Sequence, residues 1–247
     1  MIILKSQAEI EKMRSANAVV RDVMERLARE IRVGITTIEL DRMAEEMILA
    51  RGARPAFKGY RGYKHTLCTS VNEEVVHGIP SSRALRDGDI VGVDCGALLD
   101  GFYGDSARTF AVGRPTDEAA RLLRVTEEAL HIGIEKARPG NRLFDISSAI
   151  QRHVEAAGFS VVRDFVGHGI GTSLHEDPQI PNYGEAGTGV RLKEGMVFAL
   201  EPMVNVGGWK TKVLSDGWTV VTLDGGLSAH FEHSIAITSN GPVILSA

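Results

Sequence analysis

Apolar positions near the start of the chain recur every three or four residues. Ile10, Met13, Ala16, Val20, Val23, Met24, Leu27 and Ile31 keep a helical period, which predicts an amphipathic helix running toward Gly34. Ser6, three residues before Glu9, gives its first turn a capping box. Thr36 and Glu39 repeat the device and predict a second helix to about Gly52. Helices are also predicted over 116–137, opened by Thr116, Asp117 and Glu118 and stopped by Pro139-Gly140, and over 143–157, with Gly158 as its stop. Between them the pattern changes to short apolar runs at 90–94 and 107–112, flanking Leu98 to Phe102, where Asp100-Gly101 is a strong hairpin signal. Further strands are predicted at 197–201, 218–223 and 231–238, among glycine-rich turns. Helices and antiparallel strands mix without strict βαβ alternation, so the expected class is α+β.

One pattern occurs twice. Residues 85–94 match residues 192–201 in residue class at eight of ten positions. Each copy is a charged turn with Gly, feeding an apolar strand that ends in a carboxylate, Asp94 or Glu201. Each also follows a His-Gly-Ile turn, His77-Gly78-Ile79 and His168-Gly169-Ile170. The expectation is one catalytic domain over 1–247 with two similar halves, roughly 1–115 and 116–247. A pseudo-twofold axis between them brings Asp94 and Glu201 toward one central site.

Composition narrows the chemistry. A formal net charge of −4 offers no general footprint for nucleic acid, so DNA binding is not expected. The apolar start at Met1 to Leu4 is cut off by Lys5, far short of a membrane span or signal segment, which places the expected protein in the cytoplasm and off the membrane. Cys68 and Cys95 form no CxxC pair, so a metal here must use oxygen and imidazole. The stretch 51–64 carries Arg51, Arg54, Lys58, Arg61 and Lys64 with no acid. It reads first as a solvated loop, and alternatively as a contact for RNA or an anionic surface.

A two-residue turn at Asp100-Gly101 sets Asp94 opposite Ala107 and Asp105 opposite Gly96. Both aspartates then share a face of the hairpin, as diagonal neighbours about 7–8 Å apart. Two buried carboxylates so placed repel unless a proton or cation lies between them; alone, the pair is equally consistent with two aspartates facing water. Glu201 ends an apolar strand, and Glu232 lies in an alternating run that should place it on the same side as His230. His168 sits between two glycines, where a ligand can approach closely or the ring can be purely structural. His230 and His233 flank Glu232 and read as supports for it. Two aspartates, two glutamates and one histidine suffice for two divalent ions about 3.5–4 Å apart. Such oxygen-rich ligation suits Mn, Fe(II) or Co, with Zn as a further candidate.

These residues resemble a known family. Cys68 to Glu73 leading to His77-Gly78-Ile79-Pro80, then Val93-Asp94, Gly104-Asp105, Gly167 to Gly171, Glu201-Pro202 and Phe231-Glu232-His233 are together similar to type I methionine aminopeptidases of the pita-bread fold. The resemblance covers nearly the whole chain and implies metal ligation by Asp94, Asp105, His168, Glu201 and Glu232. It implies substrate contacts by His77 and His175, and a methionine pocket lined by Phe57, Tyr60, Tyr63, Cys68, Leu174 and Trp218. The activity implied is removal of an initiator methionine from nascent or new chains when the next residue is small, by attack of a metal-bridging hydroxide on the scissile carbonyl. Glu201 would move the proton, His175 would meet the oxyanion and His77 would hold the peptide. A monomer with at most a transient ribosome contact is expected. Gly96 departs from the Thr common in relatives, which removes a hydroxyl near Asp94, and Leu174 stands where an aromatic residue is common. The chain resembles the short bacterial form, without the N-terminal zinc-binding extension of some eukaryotic relatives or the large insertion of type II. Proline-specific aminopeptidases and prolidases are the nearest rivals, and a binding protein that has lost catalysis is the rival of another class.

Overall fold

The structure is a computed structural model that describes residues 1–247. Four helices, α1 (Gln7–Glu30), α2 (Thr37–Ala50), α3 (Asp117–Lys136) and α4 (Leu143–Ala156), accompany a nine-stranded sheet and two three-stranded sheets. Ser6 and Glu9 cap α1 reciprocally, and Thr36 and Glu39 do the same for α2. The first helix stops at Glu30 rather than continuing toward Gly34, because Ile31 turns extended and closes the helix with its N–H on the Leu27 carbonyl. Most of the apolar positions predicted to face inward from α1, from Ile10 to Leu27, are buried. Asn17 is buried with them and donates from Nδ2 to the Met13 carbonyl.

The path through the large sheet runs Arg54–Pro55, Ile90–Leu99, Phe102–Ala111, Glu232–Thr238, Val197–Leu200, Gly167–Gly169 and Glu176–Ile180. Leu67–Val71 adds to the Ile90–Leu99 strand and Gly241–Ile244 to the Glu232–Thr238 strand, and every pairing is antiparallel. The Asp100-Gly101 turn has positive φ at both residues. It sets Leu99 against Phe102, Asp94 against Ala107 and Gly96 against Asp105, the register predicted from the turn alone.

Two apolar cores flank the sheet. Val20, Val23 and Leu27 of α1 and Leu40, Ala44 and Ile48 of α2 pack with Val91, Val93 and Cys95. Leu122, Val125 and Leu130 of α3 and Ile146 and Ile150 of α4 pack with Phe198, Leu200 and Ile235. At about 1.5–3 kcal/mol per fully buried large aliphatic side chain, these two layers fix the outer faces of the central strands and leave their other face to build a site. At Gly104 a Cβ would sit 2.7 Å from the Asn17 backbone nitrogen, so α1 lies directly on the strand that carries Asp105.

Two predicted strands differ in the structure. The strand expected at 231–238 is present from Glu232, but the alternating run that joins His230 to it is broken: Ser228–His230 belongs to a small sheet, and Phe231 between them donates its N–H to the Pro202 carbonyl. The run expected at 218–223 is strand only over Val220–Thr222, because the N–H groups of Trp218 and Thr219 turn to the Asp216 carboxylate.

Candidate metal centre and substrate cavity

Adjacent strands deliver the carboxylates in one row. Ala107 is registered with Asp94 on one side and Glu232 on the other. Glu201 follows Leu200, whose partner His233 is the neighbour of Glu232. Asp105 lies two residues before Ala107 and shares its face. Two hydroxyls brace this arrangement: Ser106 donates to the Glu232 carbonyl at 2.7 Å, and Ser234 donates to the Asp105 carbonyl at 2.8 Å.

His168 sits on the short strand Gly167–Gly169, not in the turn the sequence suggested. Its flanking glycines are needed for backbone proximity: a Cβ at Gly169 would overlap the Asp177 carbonyl, and one at Gly167 would lie 2.5 Å from the Ala199 oxygen. The Gly169 carbonyl accepts a hydrogen bond from His168 Nδ1 at 2.9 Å. That contact leaves Nε2 bare and directed at Glu201 Oε1, 3.5 Å away.

Donor atoms of Asp105, His168 and Glu232 all lie within 4.8 Å of one another, and all three residues are buried. Asp94 and Glu201 line the same cavity. Oδ1 of Asp94, Oδ1 of Asp105 and Oε1 of Glu232 are buried without a hydrogen-bond partner. Burial pushes all four carboxyl groups above the usual carboxylate range, and their mutual repulsion raises those of Asp105, Glu201 and Glu232 further. Burial also holds His168 down to about 3, so its ring is neutral and able to donate a lone pair. Buried acceptors without donors are costly unless a cation joins them. The donor set therefore fits divalent metal, in the oxygen-rich chemistry of Mn, Fe(II) or Co.

The cavity above this row has a volume of about 730 Å³. Phe57, Tyr60, Tyr63, Cys68, Leu174 and Trp218 all line it, as do His77 and His175. The structure thus brings together every site residue singled out from the sequence. Tyr63 and Trp218 meet edge to face with centroids 4.9 Å apart. Tyr63 donates its hydroxyl to the Leu67 carbonyl at 2.8 Å, which turns its ring wall toward the cavity. The ring of His175 stacks on Tyr60 at 5.4 Å and lies 4.2 Å from that of His168. His77 holds a left-handed backbone (φ 59°) beside Gly78, where a Cβ would overlap the Thr69 carbonyl. Such strain in a non-glycine residue costs about 1–3 kcal/mol and projects the ring between Phe165 and Trp218.

Some features were not visible in the sequence. The stretch 51–64 keeps its five cations exposed, as a solvated loop predicts, but it is also a wall of the cavity: Arg54 and Pro55 pair with the sheet edge, Phe57 and Tyr63 are buried, and Arg51 and Lys58 are engaged by Asp22 and Glu45. His230 reads in the sequence as a support for Glu232, yet its Nε2 is buried, lacks a hydrogen-bond partner and lies 3.7 Å from Glu201 Oε2. Gly96 has a packing reason too, since a Cβ there would lie 2.8 Å from Phe57 Cε1 and 2.9 Å from Ala56 Cβ.

Residues 11–239 match the model of metallopeptidase family M24, and the chain belongs to that family. Within it, the chain is 57% identical to a methionine aminopeptidase of Clostridium perfringens, over 100% of this chain and 99% of the relative. A crystal structure of methionine aminopeptidase from Thermotoga maritima superposes with a TM-score of 0.98 at 50% identity, covering 100% of this chain and 99% of the other. The prolidase of Pyrococcus furiosus shares the fold at a TM-score of 0.79 and 26% identity, but this chain, 99% of it aligned, covers only 65% of that protein. The pita-bread architecture expected from the sequence is thus the fold of the molecule.

Proposed function

We propose that the chain is a methionine aminopeptidase, removing an N-terminal methionine from peptides and new chains when the next residue is small. The observation that carries this reading is the juxtaposition of the buried Asp105–His168–Glu232 cluster with a cavity walled by Tyr60, Tyr63, Cys68, Leu174 and Trp218. An unbranched thioether suits such a wall, because sulfur packs well against aromatic edges.

Asp94, Asp105, His168, Glu201 and Glu232 would hold two divalent ions. Bound there, such ions supply Lewis-acid polarisation of the scissile carbonyl and make water a nucleophile at neutral pH. The protein's own groups do the rest. Glu201, at the edge of the acidic row, takes the proton from the attacking water and passes it to the leaving amine. The Nε2 of His230 lies 3.7 Å from that carboxylate. His175 donates a hydrogen bond to the developing oxyanion, and His77 holds the peptide beside the scissile bond. The aromatic wall excludes water from the methionine side chain.

The test is a panel of Met-Ala-Ser, Met-Lys-Ser and Xaa-Pro peptides with metal-loaded enzyme. Cleavage of Met-Ala-Ser, with Met-Lys-Ser and Xaa-Pro hardly cut, supports the reading. Preference for Xaa-Pro would transfer the chain to the prolidase-like branch.

A further inference from the structure

Lys5 lies outside the methionine cavity and has no part in the chemistry above, yet its ammonium is buried. Its side chain is 3% exposed, and its Nζ lies 2.5 Å from Oε2 of Glu176, whose side chain is 8% exposed. Lysine is rarely buried unless paired. A buried pair is also a poor device for stability alone, since apolar side chains of similar size usually serve as well or better. This pair joins segments 171 residues apart. The Lys5 end is anchored by its backbone N–H on the Gly195 carbonyl at 2.7 Å. At the other end, Glu176 follows His175, and its Oε1 accepts the Ser173 N–H at 3.2 Å. Gly171 closes the same turn by donating its N–H to the Ser173 carbonyl. A Cβ on Gly171 would overlap Lys5 Cε and lie 2.5 Å from Glu176 Oε1, so the ion pair fills the space inside the turn.

The ring of His175 needs such an anchor. Its ring stacks on Tyr60 and approaches that of His168, with no hydrogen bond from its nitrogens within the chain. Its aim is therefore set by the backbone of residues 171–176. We infer that Lys5 is a positioning residue: by neutralising and fixing Glu176, it holds this turn so that the His175 ring stays over the reacting carbonyl. The inference rests on the proposed role of His175. It adds a group that touches neither substrate nor metal.

Lys5→Met and the nearly isosteric Glu176→Gln test it in metal-loaded enzyme, alongside His175→Ala and the Lys5→Met/His175→Ala double variant. Misplacement of a reacting group by a fraction of an ångström to an ångström costs on the order of ten- to a hundred-fold in rate. Both single variants should lose about that in kcat on Met-Ala-Ser with little change in KM and unchanged metal content. Hydrogen exchange at the Ser173 amide should accelerate in Lys5→Met. In the His175→Ala background, Lys5→Met should cost little more, because the group it aims is gone.

Unchanged kcat in both single variants, even with a lowered Tm, overturns the assignment and leaves the pair purely structural. An equal loss with and without His175 overturns it as well. Should His175→Ala itself keep full kcat, the role of His175 falls first and takes this assignment with it. If His175→Ala is impaired while the Lys5 and Glu176 variants are not, only the assignment of Lys5 falls.

Discussion

Asp94 and Glu232 are registered with the same residue, Ala107, from the strands on its two sides. At about 4.8 Å per strand spacing their backbones are roughly 10 Å apart, so the two side chains converge only by leaning over the small methyl group between them. Asp105, two residues along on the same face, closes the cluster. Ala107→Val should thicken that floor, lower metal content and reduce activity by at least about tenfold. Circular dichroism should remain native. Metal analysis by mass spectrometry beside the peptide assay checks this, and a fully loaded, fully active variant would show that the floor is not where the register puts it.

His168 and His175 lie close together but are assigned different work. His168→Ala should lose both metal and activity, since its bare Nε2 is the only nitrogen in the proposed ligand set. His175→Ala should keep its metal and lose on the order of 10²–10³ in kcat, the usual cost of one oxyanion donor. Its KM should change much less, because that bond strengthens only as the carbonyl becomes tetrahedral. Loss of metal from His175→Ala with retention in His168→Ala would exchange the two roles.

The hairpin carrying Asp94 and Asp105 was legible from the chain because one turn, Asp100-Gly101, fixes parity for every residue on both arms. The repeat set Glu201 beside Asp94 as strand-end carboxylates, but the strand carrying Asp94 runs on to Leu99 whereas the one before Glu201 stops at Leu200. What escaped depends on contacts without local periodicity. The pairing of Lys5 with Glu176 joins distant segments, and nothing near either residue announces it. The cations of the stretch 51–64 face solvent as their charge suggests, but its role as a cavity wall was hidden, because Phe57 and Tyr63, its buried aromatics, are isolated between glycines and cations. The proximity of His230 to Glu201 was also hidden, because an alternating pattern cannot show that the strand breaks at Phe231.

Burial holds the imidazole of His77 down to about 4, with the neighbouring His175 adding to the shift. The unfolded chain protonates this group near 6.5. Between those values the unfolded state holds more protons, so the His77 contribution makes stability fall as pH drops through the window from about 6.5 to about 4. It also means that His77 stays neutral through the pH range of the reaction and cannot produce an acid limb near pH 6. An NMR titration of its imidazole protons in the folded protein should show a midpoint near 4; one at 6.5 would contradict the burial argument.

A Cβ at position 96, as in Gly96→Thr, meets Phe57 and Ala56 at less than 3 Å. Overpacking of this kind costs about 1–3 kcal/mol. Urea unfolding should show that loss in Gly96→Thr and recover part of it in Gly96→Thr/Phe57→Leu, where the ring no longer fills the space. Equal stability of Gly96→Thr and the parent would mean that Phe57 swings away at little cost.

The most direct test of the account is the activity of metal-stripped protein. Three buried carboxylate oxygens without donors, one each from Asp94, Asp105 and Glu232, are reconciled with the fold by a cation. Protein dialysed against chelator should not cleave Met-Ala-Ser, and Mn, Co or Fe(II) should restore cleavage, saturating by about two equivalents if the five ligands hold two ions. Full cleavage by protein verified as metal-free would contradict the account.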